Sequence, residues 1–130
     1  MTMKPKTVLS IAVPLVAAAG LAMSFSTSAQ SAQPTYQADP GVYKLIFEDQ
    51  NYRVIEATRK KGVHDKVHGH PVASVIYNLT DCTTRTYGAD GKAVDATSKA
   101  GSVRSVPATP SHSAENIGAA DCRTIFVERK

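Results

Sequence analysis

The stretch Gly62-Val63-His64-Asp65-Lys66-Val67-His68-Gly69-His70-Pro71-Val72-Ala73-Ser74-Val75 decides how the rest of the chain is read. Side chains of an extended strand alternate between its two faces. His68 and His70, two residues apart, therefore project to one side and can bite a single metal ion. A His-x-His triplet also arises by chance, so its weight depends on its surroundings. His64, four residues before His68 in a stretch with Gly62 and Lys66, is a candidate extra ligand, with an exposed rim position as the competing reading. Asp65 and Asp81 read as turn or strand-end residues.

Outward from this stretch the chain is a series of short segments rich in β-branched and aromatic residues: Val42–Glu48, Tyr52–Thr58, Ala73–Leu79, Thr83–Tyr87, Ala93–Thr97, Val103–Val106 and Thr124–Glu128. Turn residues separate them and no amphipathic helical stretch intervenes, which predicts an all-β sandwich or barrel. Ala89-Asp90-Gly91-Lys92 predicts a hairpin, with Asp-Gly in a tight primed turn. Asn51 and Gly101 mark further turns. Residues 30–40, made largely of Ser, Gln, Ala, Pro and Thr, show no apolar periodicity and are expected to form a flexible tether.

The first residues resemble an export signal. Lys4 and Lys6 precede an apolar run from Val8 to Met23, and Thr27-Ser28-Ala29 suits cleavage before Gln30. The rival reading, a membrane anchor, meets a run shorter than the roughly 20 residues a spanning helix needs and interrupted by Pro14 and Gly20. Residues 1–29 are thus expected to be a signal peptide and the mature chain to be periplasmic or secreted, with no membrane association after cleavage. Loss of Lys4 and Lys6 halves the formal charge of +4. The remainder is too small to argue for nucleic acid, and the Arg59-Lys60-Lys61 run reads as a solvated strand end or turn. Cys82 and Cys122 do not form a C-x-x-C pair. In an oxidising compartment they are either a structural bridge or two free thiols.

Two half-motifs then come into view together. Gly62 followed after five residues by His68-Gly69-His70, and Gly101 followed after five residues by Pro107, with His112 and Asn116 behind it, resemble the two signature motifs of the cupin superfamily in order and spacing. The resemblance spans about residues 41–129. It departs from the pattern twice: where a glutamate ligand would stand, the sequence has Ser74 or Val75, depending on the gap, and Thr109 replaces the glycine of Pro-x-Gly.

The resemblance implies a single cupin domain over residues 41–130, a double-stranded β-helix or jelly-roll barrel. It implies a metal site of His68, His70 and His112, three neutral imidazoles with open positions, suited to Fe, Mn, Ni, Cu or Zn. Without the glutamate the ion keeps its full formal charge, so an anionic small-molecule ligand would compensate it. Tyr77 is the candidate proton-handling residue, with His64 behind it. In a jelly roll the strands preceding Cys82 and following Cys122 are expected to be antiparallel neighbours, which implies a Cys82–Cys122 bridge. The family hosts dioxygenases, decarboxylases, isomerases and binding modules, often as homodimers paired through sheet edges. Fold alone therefore leaves three functions open: a metal-dependent, dioxygenase-like oxidoreductase, a metal- or ligand-binding protein, and a structural cupin.

Overall fold

Period-two burial runs through the strands. In Cys122–Arg129 the alternate residues Cys122, Thr124, Phe126 and Glu128 are buried, and in Ser74–Asn78 the buried residues are Ser74, Ile76 and Asn78. One face of each strand therefore lines an interior. The computed structural model describes residues 32–130; the expected export leader, residues 1–29, lies outside them. Nine strands follow in order: β1 Tyr43–Glu48, β2 Tyr52–Arg59, β3 His68–His70, β4 Ser74–Asn78, β5 Cys82–Gly88, β6 Ala93–Ser98, β7 Val103–Val106, β8 Thr109–Asn116 and β9 Cys122–Arg129. They form two antiparallel sheets, ordered β1-β2-β9-β4-β7 and β3-β8-β5-β6, the jelly-roll arrangement that the resemblance implies.

Two strands were not legible as apolar segments. Strand β8, Thr-Pro-Ser-His-Ser-Ala-Glu-Asn, has no β-branched run and contains Pro110, which lacks a ladder donor. It is held instead by partners on both sides, β3 and β5. Strand β3 is three residues long and entirely buried. The β5–β6 hairpin forms as expected, but its turn is different. Gly91 alone takes a positive φ of 77° while Asp90 does not, and Gly91 N–H donates to Gly88 carbonyl at 2.9 Å. This is a type I turn closed by a left-handed glycine, the longer hairpin solution.

The tether expectation is corrected over residues 32–40. Ala32 N–H donates to the Pro110 carbonyl at 3.1 Å and Gly69 N–H to the Gln33 carbonyl at 2.8 Å. Thr35–Ala38 forms a short helix, α1, and Thr35 is buried. The segment pairs through its backbone with Gly69 of β3 and Pro110 of β8, while Tyr36 packs against the core. The close approach explains the glycine between the two histidines. A Cβ at Gly69 would lie 2.8 Å from the Pro110 oxygen and 3.0 Å from the Ala32 oxygen.

The apolar core is small: Val42, Tyr43, Ile55, Ala57, Ile76 and Phe126. It shares the interior with buried Arg59, Asp65, His68, His70, Asn116 and Glu128. Arg59 is thus no part of a solvated run; only Lys60 and Lys61 are exposed. The Cys82–Cys122 disulfide forms, with Cα atoms 5.0 Å apart. β4 and β9 are antiparallel neighbours as the resemblance implies. Cys82, however, opens β5 in the other sheet, so the bridge staples the two sheets together instead of joining neighbours within one.

Candidate metal centre

His68 and His112 are cross-strand partners in the β3–β8 ladder, which brings their Nε2 atoms to 2.8 Å. His70, on the same face of β3, completes a group whose ligand atoms all lie within 4.8 Å of one another. His68 is 0% exposed and His70 4%; His112 is half-buried.

The partners of the other ring nitrogens set the tautomers. His68 Nδ1 lies 2.7 Å from the Lys66 carbonyl, and His70 Nδ1 3.4 Å from Glu128 Oε1. Carbonyl and carboxylate oxygens only accept, so both Nδ1 atoms carry the proton and both Nε2 lone pairs are free. In the absence of an ion the short contact between His68 and His112 is then a hydrogen bond donated by His112. Nitrogens at 2.0–2.1 Å from a shared ion and at right angles to each other are about 2.9 Å apart, so the observed spacing also fits two ligands of one divalent ion.

Burial pushes the His68 imidazole below its usual pKa. Burial, with His68 and His70 adding to it, pushes His112 down to about 4. The unfolded histidine titrates near 6.5. Between those values the unfolded chain binds more protons, so stability is lost as pH falls through that window. We expect the urea midpoint of chelator-treated protein to drop between pH about 6.5 and about 4, and to drop less steeply in His112→Asn. Equal slopes would show that His112 is not held neutral.

The missing glutamate is resolved by geometry. Ser74 faces the interior and is 3% exposed, while Val75 faces out at 45%, so the inward position is Ser74. Its register partner on β9 is Glu128, 1% exposed. A carboxylate therefore stands beside the vacant motif position, supplied by the neighbouring strand, hydrogen-bonded to His70 and 3.4 Å from Arg53. Sequence reading missed it because only the ladder places Glu128 there. Such an outer carboxylate orients a ligand histidine. Glu128→Gln is expected to weaken zinc binding by roughly 10–100-fold with secondary structure unchanged, as read by chelator competition.

The Tyr77 assignment is corrected, and His64 takes the exposed rim position rather than that of a ligand. Tyr77 alternates with Ile76 and Asn78 on β4, faces out and is 42% exposed, so it cannot reach the histidines. His64 stacks on Tyr87 with ring centroids 4.8 Å apart, lies 2.8 Å from Ser113 Oγ and is not in the histidine group. The phenol at the site is Tyr43, whose hydroxyl is 3.4 Å from His68 Nε2. It donates to Asp65 Oδ2 at 2.6 Å and accepts from Arg59. Arg59 Nε also meets Asp65 Oδ2 at 2.7 Å, and Asp65 Oδ1 accepts from Ala114 N–H at 2.6 Å. Burial would raise the Asp65 carboxyl, but the Arg59 charge and these donors outweigh it and hold the carboxyl low. Burial raises the Tyr43 phenol and keeps it protonated. Asp65 is thus no turn residue; it is the hub of a buried network supporting the histidine strand. Asn116, the last residue of the second half-motif, is 0% exposed; it donates to the carbonyls of Arg59 and Ala120 and accepts from Gly118. Its role is to clamp the chain beyond β8.

No protein-family model matches the chain, and no curated protein is similar to it. Solved structures are. A cupin domain from Bordetella pertussis Tohama I is 17% identical, with a TM-score of 0.63 over 68% of this chain and 92% of that one. An uncharacterised conserved protein with a double-stranded β-helix domain from Klebsiella pneumoniae is 17% identical, with a TM-score of 0.54 over 68% and 70%. The polyketide cyclase RemF from Streptomyces resistomycificus is 15% identical, with a TM-score of 0.52 over 75% and 68%. With both half-motifs in its sequence and these barrels as its structural likenesses, the chain has the fold of the cupin superfamily.

Proposed function

We propose that this protein is an exported metal-dependent cupin that holds one divalent ion through the Nε2 atoms of His68, His70 and His112. Inside the barrel it would present that ion to a small anionic molecule. The observation that carries this reading is the convergence of three imidazoles, of which His70 and His112 line the cavity between the sheets and His68 and His70 have Nε2 lone pairs freed by hydrogen bonds at Nδ1. The donor set suits Fe, Mn, Ni, Cu or Zn. A redox-active ion would supply dioxygen chemistry, giving a dioxygenase-like oxidoreductase. The chain's own part is to fix the imidazoles, hold His70 against Glu128 and line the approach with apolar Ile76 and Phe126 beside polar Asn78, Thr84 and Thr86. Export agrees with the disulfide, which suits an oxidising compartment.

Capture of a metal or ligand without turnover is the second reading, and one observation favours it. Tyr43 is the nearest phenol, but its proton is committed to Asp65 and its oxygen to Arg59, which leaves it a poor proton relay.

Elemental analysis of mature protein, purified from its own compartment without a histidine tag or chelator, tests the site. About one equivalent of a transition metal, lost in a His68→Ala/His112→Ala variant, is expected. Dioxygen consumption with candidate substrates then separates enzyme from capture. No metal on purification and none taken up on titration would overturn the reading.

A further inference from the structure

Strand β3 carries two of the three histidines and is weakly held by its own sheet. It is three residues long, β8 is its strand neighbour on one side, and that ladder is irregular between His68 and His70. Residues 32–39 lie along its other edge. Pro34 pairs with Gly69 in an isolated parallel bridge, Gly69 N–H donates to the Gln33 carbonyl at 2.8 Å, and Ala32 N–H reaches the Pro110 carbonyl of β8 at 3.1 Å. The far end of the segment is tied to the start of β1, because the Asp39 carbonyl accepts from the N–H groups of Val42 and Tyr43.

Two side chains of this segment lead to the two histidines by separate routes. Asp39 Oδ2 accepts from Lys66 N–H at 3.0 Å, and the Lys66 carbonyl accepts from His68 Nδ1 at 2.7 Å. Lys66 is exposed, so without Asp39 water is the other partner of its N–H, and the turn that carries the orienting carbonyl loses a fixed point. On the second route the Arg53 Cζ lies over the Tyr36 ring, 5.1 Å from its centroid, a cation–π contact. Arg53 is 3.4 Å from Glu128, and Glu128 is 3.4 Å from His70 Nδ1. Among the described residues the buried Arg53 Nε has no hydrogen-bond partner, so the guanidinium is placed by Glu48, Glu128 and the ring.

We infer that residues 32–39 are a strap that orients the histidine pair, with Asp39 and Tyr36 as positioning residues for His68 and His70. Neither touches an imidazole; each fixes the group that does. A ring already held in its binding orientation loses less freedom when an ion arrives. The gain in metal affinity rests on the metal reading proposed above, whereas the orientation of the rings needs no metal. Coupling of this kind is reciprocal: if a docked strap favours the ion, the ion favours docking of the strap by the same factor.

The test uses zinc and the mature protein with Asp39→Ala, Asp39→Asn, Tyr36→Ala and Tyr36→Phe. In chelator competition each alanine variant is expected to bind zinc roughly three- to tenfold more weakly, short of the roughly 10–100-fold of a direct partner of a ligand histidine. Asn keeps an oxygen acceptor and Phe keeps the ring face, so both conservative variants should stay within about twofold of the unsubstituted protein. In metal-free protein the His68 Nδ1 proton is expected to exchange with water about tenfold faster in Asp39→Ala. Zinc is expected to slow exchange of the Ala32 amide, which the Pro110 carbonyl holds. A lowered urea midpoint with unchanged zinc affinity and unchanged ring exchange would make the segment a stabilising element only, overturning the inference and leaving the metal reading standing. Faster ring exchange in Asp39→Ala, in a protein that takes up no zinc, would uphold the strap and overturn the metal reading. Conservative variants as weak as the alanines would overturn the roles given to Asp39 and Tyr36.

Discussion

Replacing Asp65 by alanine is expected to lower the unfolding free energy by about 3–5 kcal/mol, the cost of breaking a buried ion pair by removing one partner. The Asp65 side chain is 0% exposed and that of Arg59 7%, so the orphaned guanidinium gains little water. The same change frees the Tyr43 hydroxyl and the Ala114 N–H from their acceptor. Urea unfolding of chelator-treated protein measures the loss. Arg59→Met/Asp65→Ala should cost less than Asp65→Ala alone, because it removes both charges together. A loss below about 1 kcal/mol for Asp65→Ala would mean that the network is looser than its distances imply. Because Asp65 also approaches His68 Nδ1 at 3.7 Å, weaker zinc binding should accompany the lost stability.

The disulfide is the second large term. Its two cysteines are 40 residues apart in sequence, and closing a loop of that length restricts the unfolded chain by about 4 kcal/mol on the chain-entropy account. With six residues in the buried apolar cluster, the barrel has little hydrophobic reserve to absorb that loss. Cys82→Ala/Cys122→Ala, and reduction of the unmodified protein, are both expected to shift the urea midpoint by an amount equivalent to roughly 3–5 kcal/mol. Agreement between the two would attribute the effect to the bond itself. An unchanged midpoint on full reduction would show that the sheets hold together without their staple.

What could be read from sequence was what local spacing encodes. His68 and His70 share a face because the strand period is two, and His112 joined them through the resemblance of Gly101, Pro107, His112 and Asn116 to the second cupin motif. Ladder register is not local, and it governs everything that was missed. Tyr77 lies near the histidines in sequence, yet the phase of β4 turns it outward and Tyr43 of β1 takes its place. Asp65 looks like a turn residue until Arg59 and Tyr43 are folded onto it. Ser74 and Val75 could not be separated until the strand's phase was known, and Glu128 is invisible beside them without the β4–β9 pairing. Strand β8 carries the second half-motif yet lacks the apolar run that announces a strand, because its place is set by two neighbours. Residues 32–40 contribute backbone hydrogen bonds and a single Tyr36 contact to the core, which composition does not reveal.

Neither β6 nor β7 has a ladder partner on its outer side, yet Ser98 of one and Arg104 of the other line the same cavity. Nearly all of β6 is exposed, including Val94 at 66%. Entry to the interior is thus a seam and not a hole. It can part like the fore-edge of a book without breaking any strand-to-strand hydrogen bond, so admission of a ligand asks for side-chain and hairpin motion and no local unfolding. Amide exchange fast along β6 and slow along β9 would be the signature of a barrel that breathes on one side.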